Sequence, residues 1–182
     1  MRNLLLILIV IPTWFFHSSF FLADDPDFPE KKVAKVINRI WKDKSVEIQR
    51  YNIEDAYGGG KYFMLTDEAD TLGYLYVGRV NSCRQGGCAI NNEDAELPFE
   101  FFDYFLITDK NAKVEKIKIF NYQATHGHEV MSTGWLRQFK GYGGERKLKY
   151  GKDIEAISGA TISAKALNLD VQFIVGNLKD NY

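Results

Sequence analysis

Residues 101–122 constrain what this chain can fold into more than any other stretch. Phe101–Thr108 is rich in aromatic and branched side chains, and Asp109-Lys110-Asn111-Ala112-Lys113 is polar and turn-forming. Val114–Tyr122 then alternates, with Val114, Lys116 and Lys118 on one side and Glu115, Ile117 and Ile119 on the other. Successive side chains of a strand point to opposite faces, so two such runs around a short polar loop predict an antiparallel hairpin. Val46–Tyr51, Tyr62–Thr66 and Leu72–Val80 read as further strands, with Gly58, Gly59 and Gly60 marking a loop. Three segments have helical spacing instead. Val33, Val36, Ile37, Ile40 and Trp41 recur on one face, with Lys31, Lys32, Lys35 and Arg39 on a solvated one. A short helix is expected over Glu129–Phe139, before the glycine loop at Gly141, Gly143 and Gly144. A last helix is expected from Ala160 to Leu178, apolar at Ile162, Ala166, Leu167, Leu169, Val171, Phe173, Ile174 and Leu178. Strands bracketed by helices imply an α+β fold, an antiparallel sheet flanked by helices, in a single domain over 29–182.

The N-terminus reads as a targeting segment. Arg2 precedes the apolar run Leu4–Ile11, more apolar residues extend to Ala23, and Asp24, Asp25, Asp27 and Glu30 follow at once. A basic start, an apolar stretch and an acidic exit describe a signal peptide or membrane anchor over 1–23. Pro12, Thr13, His17, Ser18 and Ser19 interrupt the run, which makes it a poor spanning helix. The domain is therefore expected outside the cytoplasmic membrane, periplasmic or membrane-anchored. With 23 basic against 24 acidic residues there is no global positive field to hold nucleic acid. Aromatic residues make up 14% of the chain, which suits a β-rich core and a flat ring ligand equally well.

The stretch that carries chemistry is Glu155-Ala156-Ile157-Ser158-Gly159-Ala160-Thr161-Ile162-Ser163. Ser158 is placed to cap the last helix. Gly159 and Ala160 are small enough for a bulky group to approach the backbone. Thr161 falls in the first turn, where free N–H groups and the positive end of the helix dipole suit a phosphate. A capping box with small packing residues would have the same composition.

Ser158-Gly159-Ala160-Thr161, followed by Ile162-Ser163 at the start of a C-terminal helix, resembles the FMN-binding domain family. That family includes flavinylated subunits of the sodium-translocating NADH:quinone oxidoreductase and of its ion-pumping ferredoxin:NAD relative. Its motif runs D-x-x-S/T-G-A-T; the leading position here is Glu155, with Asp153 two residues earlier. The resemblance takes in a glycine-containing strand at Gly73–Val80, the turn at Asp109–Lys113 and the segment Thr125-His126-Gly127. It continues through an aromatic helix at Trp135–Phe139 and Gly141, so that it spans about 70–178. It implies flavin mononucleotide (FMN) as cofactor, joined through its phosphate to Thr161 by a separate flavin transferase. Ser158, Gly159, Ala160, Thr125, His126, Gly127 and Trp135 are the expected companions of Thr161 in binding it. Trp135, Leu136, Phe139 and Tyr142 are candidate walls for the ring, although Trp135 and Phe139, four apart, also have core spacing. Thr125, His126, His128 and Ser132 are candidate partners for its polar edge. The pair His126 and His128 lacks a visible third or fourth ligand, so no metal is expected.

Cys83 and Cys88 are the only cysteines, with four residues between them that include Gly86 and Gly87. In an exported protein a disulfide is the default; a redox-active pair is the sharper alternative, without the usual C-x-x-C spacing. Arg79 and Arg84 are available to a phosphate or to solvent. The sequence contains no evident base and nucleophile set. The expectation is an electron-transfer flavoprotein working between redox partner proteins, with membrane association, rather than a stand-alone enzyme. The alternatives are a small FMN-dependent reductase and a non-redox surface binding protein that keeps the fold.

Overall fold

The computed structural model describes residues 26–53, 59–85 and 97–181. The expected targeting segment 1–23 and Cys88 lie outside the described residues. Among the described residues no helix is long and apolar enough to cross a membrane.

Five strands form one antiparallel meander in chain order: β1 (Glu47–Arg50), β2 (Lys61–Asp67), β3 (Asp70–Arg84), β4 (Phe99–Asp109) and β5 (Val114–Tyr122). The two helices with real length lie on opposite faces. Helix α1 (Glu30–Ile40) buries Val33, Val36 and Ile37 against Leu65, Leu75, Val77, Phe105 and Ile107. Helix α3 (Thr161–Asp180) buries Ala164, Leu167, Val171, Ile174, Val175 and Leu178 on the other face, against Tyr62, Tyr74, Tyr76, Phe102, Tyr104 and Leu106. Strand alternation explains the split, since Tyr74 and Tyr76 point to α3 while Leu75 and Val77 point to α1. The α+β sheet flanked by helices is thus observed. Only part of the apolar content of α3 is spent on the core, because Ile162, Leu169 and Phe173 are exposed.

The β4–β5 hairpin forms where the sequence places it. Its turn is closed by Asp109, whose Oδ1 accepts from the N–H groups of Asn111 (2.9 Å) and Lys113 (2.8 Å). One detail of the alternation is corrected. The register shifts between Ile107 and Thr108, which pair with Lys116 and Val114, so Glu115 is an extra residue on β5. Such a bulge reverses the facing of what precedes it. Val114 therefore joins Ile117 and Ile119 in the α3-side core instead of sharing a face with Lys116 and Lys118. The expected helix over Glu129–Phe139 is also broken up. It comprises a 3-10 turn at His128–Met131, the short helix α2 (Thr133–Leu136) and a second 3-10 turn at Arg137–Phe139. Pairing with β5 continues beyond it, as Gly141 N–H donates to the Val114 carbonyl and Val114 N–H to that of Tyr142.

Close approach explains the glycines of β3. A Cβ on Gly73 would lie 2.0 Å from the Thr108 carbonyl oxygen, and one on Gly78 would lie 2.1 Å from the Tyr76 hydroxyl. Behind these rings, Tyr104 donates to Asp170 of α3 at 2.6 Å. Burial pushes the Asp170 carboxyl up to about 6, with the Tyr104 hydrogen bond opposing it. Burial, then the neighbouring Asp170 charge, raises the Tyr104 phenol well above its usual range.

Three outcomes are expected. Gly73→Ala must separate β3 from β4 and lowers unfolding stability in urea by about 1–3 kcal/mol. Gly176→Ala, in α3 with nothing near its added Cβ, raises stability by about 1 kcal/mol through helix propensity. Asp170 binds its proton more tightly folded than unfolded between about pH 4 and 6. Its contribution is therefore fully present below pH 4 and lost as pH rises through about 6, amounting to roughly 3 kcal/mol. Asp170→Asn removes that fall from the stability–pH profile; an unchanged profile would show that Asp170 titrates normally.

Candidate functional site

The last helix begins one residue later than expected, and its start is bare. Ala160 is the N-cap residue and no side chain caps α3. Ser158 is exposed and does not cap, which corrects the sequence reading. The chain instead turns through Gly159 at φ +81°, and Ala160 N–H donates to the Ile157 carbonyl at 3.3 Å. Thr161 is the first helical residue and is exposed, its hydroxyl directed at the Ile157 carbonyl at a long 3.4 Å. An accessible hydroxyl thus sits beside N–H groups that no side chain among the described residues caps.

The loop leading to Thr161 is held from both sides. The Trp135 indole donates to the Glu155 carbonyl at 2.8 Å, and Gln138 Oε1 accepts from Glu155 N–H at 2.8 Å. Ile157 N–H donates to the Tyr150 hydroxyl at 2.9 Å. Trp135 is buried and meets Phe139 edge-on, with ring centroids 5.5 Å apart. Leu136 and Phe139 are buried in the same core, and Tyr142 packs on it. None of these four lines the hollow at Thr161. Their core spacing is the reading that holds here, and Trp135 serves the motif by fixing the backbone of Glu155. The Glu155 side chain is exposed. Asp153 is committed elsewhere, to Arg146 at 2.7 Å and to Lys149 N–H at 2.8 Å. The Lys149 amide, then Arg146, hold its carboxyl below the usual range.

The second expected segment arrives from β5. Glu100 accepts from both the N–H and the hydroxyl of Thr125. His126 is exposed and lines the hollow, and its carbonyl accepts from the Tyr122 hydroxyl at 2.6 Å. Gly127 has φ +86°, and a Cβ there would lie 3.1 Å from Ser163 Oγ and 3.4 Å from Ala160 Cα. Glycine lets the two motif segments touch at that point. The His128 ring packs on Tyr122, centroids 4.5 Å apart, and Ser132 is exposed at the start of α2.

Together Cys83, His126, Gly159, Ala160, Thr161, Ile162 and Ser163 line a cavity of about 220 Å³. Pockets that enclose a whole ligand run from about 300 Å³ upward, so this hollow is too small to enclose a whole flavin. Two residues of its frame had no signal in the sequence. Ser82 at the end of β3 is buried and lies 2.7 Å, oxygen to oxygen, from Ser163. Tyr122 stacks on Phe102 with centroids 5.5 Å apart. Ser163 was within reach of sequence reasoning, since it sits two residues after Thr161. Arg79 and Arg84 are not directed at the hollow. Arg79 pairs with Asp103 at 2.7 Å and lies over Phe101, while Arg84 donates to the Leu97 carbonyl at 2.7 Å. A larger cavity of about 620 Å³ lies at the start of α1, lined by residues of both charges, and contains none of the motif residues.

Residues 103–175 match the family model of the FMN-binding domain. Over that stretch the chain is similar to the FMN-binding domain. The matched stretch runs from Asp103 in β4 to Val175 in α3, and so contains Thr125-His126-Gly127 and Ser158–Thr161 together. FMN is the cofactor that this domain indicates. The observed chemistry fits the group: a bare helix start, a hydroxyl in the open, and small residues where the backbone must be approached. No curated protein matches the chain.

In the FMN-binding domain, Trp135→Phe is expected to lower stability by about 1 kcal/mol through loss of the Glu155 hydrogen bond. It leaves the absorption spectrum of bound flavin unchanged. A shifted flavin spectrum would place Trp135 against the ring after all.

Proposed function

We propose that this FMN-binding domain holds its flavin as a phosphoester on Thr161 and shuttles electrons between redox partner proteins outside the cytoplasmic membrane. The observation that carries this reading is the exposed Thr161 hydroxyl at the uncapped start of α3, beside the hollow shared with His126. Attachment requires a flavin transferase and an activated flavin nucleotide. The threonine oxygen bonds to phosphorus, its proton goes to a base of the transferase, and the bond from phosphorus to the leaving group breaks with its electron pair. No electrons are gained or lost in that step.

Once bound, FMN supplies one- and two-electron chemistry, and the protein supplies binding, orientation and electrostatic tuning. Ile162 and Ser163 bring backbone N–H groups to the phosphate end, and Gly159 and Ala160 leave room for it. Helix α3 passes from Thr161 into the core, so the tether is anchored to the best-packed part of the domain. Export follows from the reading of residues 1–23, either as a cleaved signal or as a membrane anchor. A Cys83–Cys88 disulfide belongs to the same reading, as an extracytoplasmic staple at the end of β3. A covalent tether suits that compartment, where free FMN would diffuse away.

Intact-mass spectrometry on protein exported from cells that contain a flavin transferase tests this directly. The wild type is expected to gain the mass of FMN less water, and Thr161→Ala none. Thr161→Ser, which keeps a hydroxyl, is expected to retain the modification. An unmodified wild type would remove the phosphoester reading, and flavin retained by Thr161→Ala would move the attachment elsewhere.

A further inference from the structure

The hydroxyl groups behind the Thr161 hollow lie in contact with one another. Tyr122 gives its single proton to the His126 carbonyl at 2.6 Å. Its oxygen lies a long 3.4 Å from Ser163 Oγ and is placed to accept there. Ser163 Oγ is 2.7 Å from Ser82 Oγ, and either of the two can donate. The result is a connected chain of hydroxyls from Ser82 through Ser163 and Tyr122 to the His126 carbonyl. It joins β3, the first turn of α3, β5 and the 125–127 segment. Ser82 and Ser163 are only 4% and 3% exposed, so water does not easily replace a missing member. Gly127 is packed against the middle of the chain, where a Cβ would lie 3.0 Å from the Tyr122 hydroxyl and 3.1 Å from Ser163 Oγ.

We infer that Ser163, through Ser82 and Tyr122, is a positioning residue that holds the His126–Gly127 backbone against Thr161 and so sets the shape of the hollow in which the hydroxyl is modified. This rests on the Thr161 reading. The Ser163 side chain turns away from Thr161 toward Ser82 and acts through the loop opposite. Ser163→Ala removes the junction of the chain, and Tyr122→Phe cuts its last link while keeping the stack on Phe102. Either change lets the 125–128 segment drift from α3, and small displacements at a reacting group cost large factors in rate.

The test uses the full chain in flavin-free form. Hydrogen exchange is read at the amides of 125–128, and FMN incorporation is followed by intact mass with a flavin transferase present. Ser163→Ala and Tyr122→Phe are each expected to raise exchange in 125–128 and to slow incorporation about tenfold. The double variant should be no slower than either single one. Val77→Ala, in the α1-side core, lowers Tm but incorporates FMN at the wild-type rate. Wild-type exchange and wild-type rates in Ser163→Ala and Tyr122→Phe would overturn the inference. So would an equal slowing in Val77→Ala at the same loss of Tm, which would make the effect one of general stability. A wild type that takes up no flavin would remove the Thr161 reading itself, while the exchange data would still decide whether the hydroxyl chain holds the loop.

Discussion

The contact between α3 and the tyrosine-rich face of the sheet is the constraint on which the other features depend. A meander of five strands has two faces to cover, and here each has its own helix. The α3 face is the more demanding, because Tyr62, Tyr76 and Tyr104 bring hydroxyl groups into an apolar layer. Part of the answer is supplied by α3 itself, with Asp170 accepting from Tyr104 and Asn177 donating to Tyr62. The helix is therefore fixed in rotation as well as in position, since apolar packing alone would tolerate a small roll about its axis. The Tyr62 phenol, raised to about 12 chiefly by burial, stays protonated throughout the physiological range.

Fixing that rotation fixes the site. Thr161 and Ser163 lie two residues apart, about 200° around a helix. With Ser163 directed inward to Ser82, Thr161 is necessarily directed out. The same geometry explains why the first turn has no side-chain cap. Ser163 is used by the sheet, Ser158 lies outside the turn, and Ala160 has nothing to offer. The N–H groups at the helix start are left to whatever occupies the hollow.

Most of the scaffold was legible in the sequence because it rests on local periodicity. The β4–β5 hairpin, α1 and α3 all lie where alternation or helical spacing puts them. The reading failed where an element depends on a partner far away in the chain. Val114 changed faces because of one extra residue at Glu115, which no count of alternation reveals. The 128–139 stretch has helical spacing at Trp135 and Phe139, yet it is bent into short turns that follow β5 and reach Glu155. In the site, the motif residues Gly159, Ala160 and Thr161 lie beside His126 and Gly127. Trp135 lies in the core beside the motif loop, and an aromatic near a flavin motif and an aromatic in a core look alike in sequence. Ser82 was invisible, being 81 residues from Ser163 in the chain and 2.7 Å from it in the fold.

The size of the hollow bears on why this site would use a covalent bond. An enclosing pocket gains affinity by covering most of its ligand. On the proposed reading, the hollow of about 220 Å³ next to Thr161 covers the phosphate end alone. A flavin held only by such a site would have most of its surface in water and would lose little by leaving. On the proposed reading, the phosphoester removes dissociation from the problem, and the protein no longer has to surround the ring. An uncovered ring is an advantage to an electron carrier, because donors and acceptors must approach it in turn. What the fold must then guarantee is the direction in which the tether points, and that direction is set by the inward turn of Ser163.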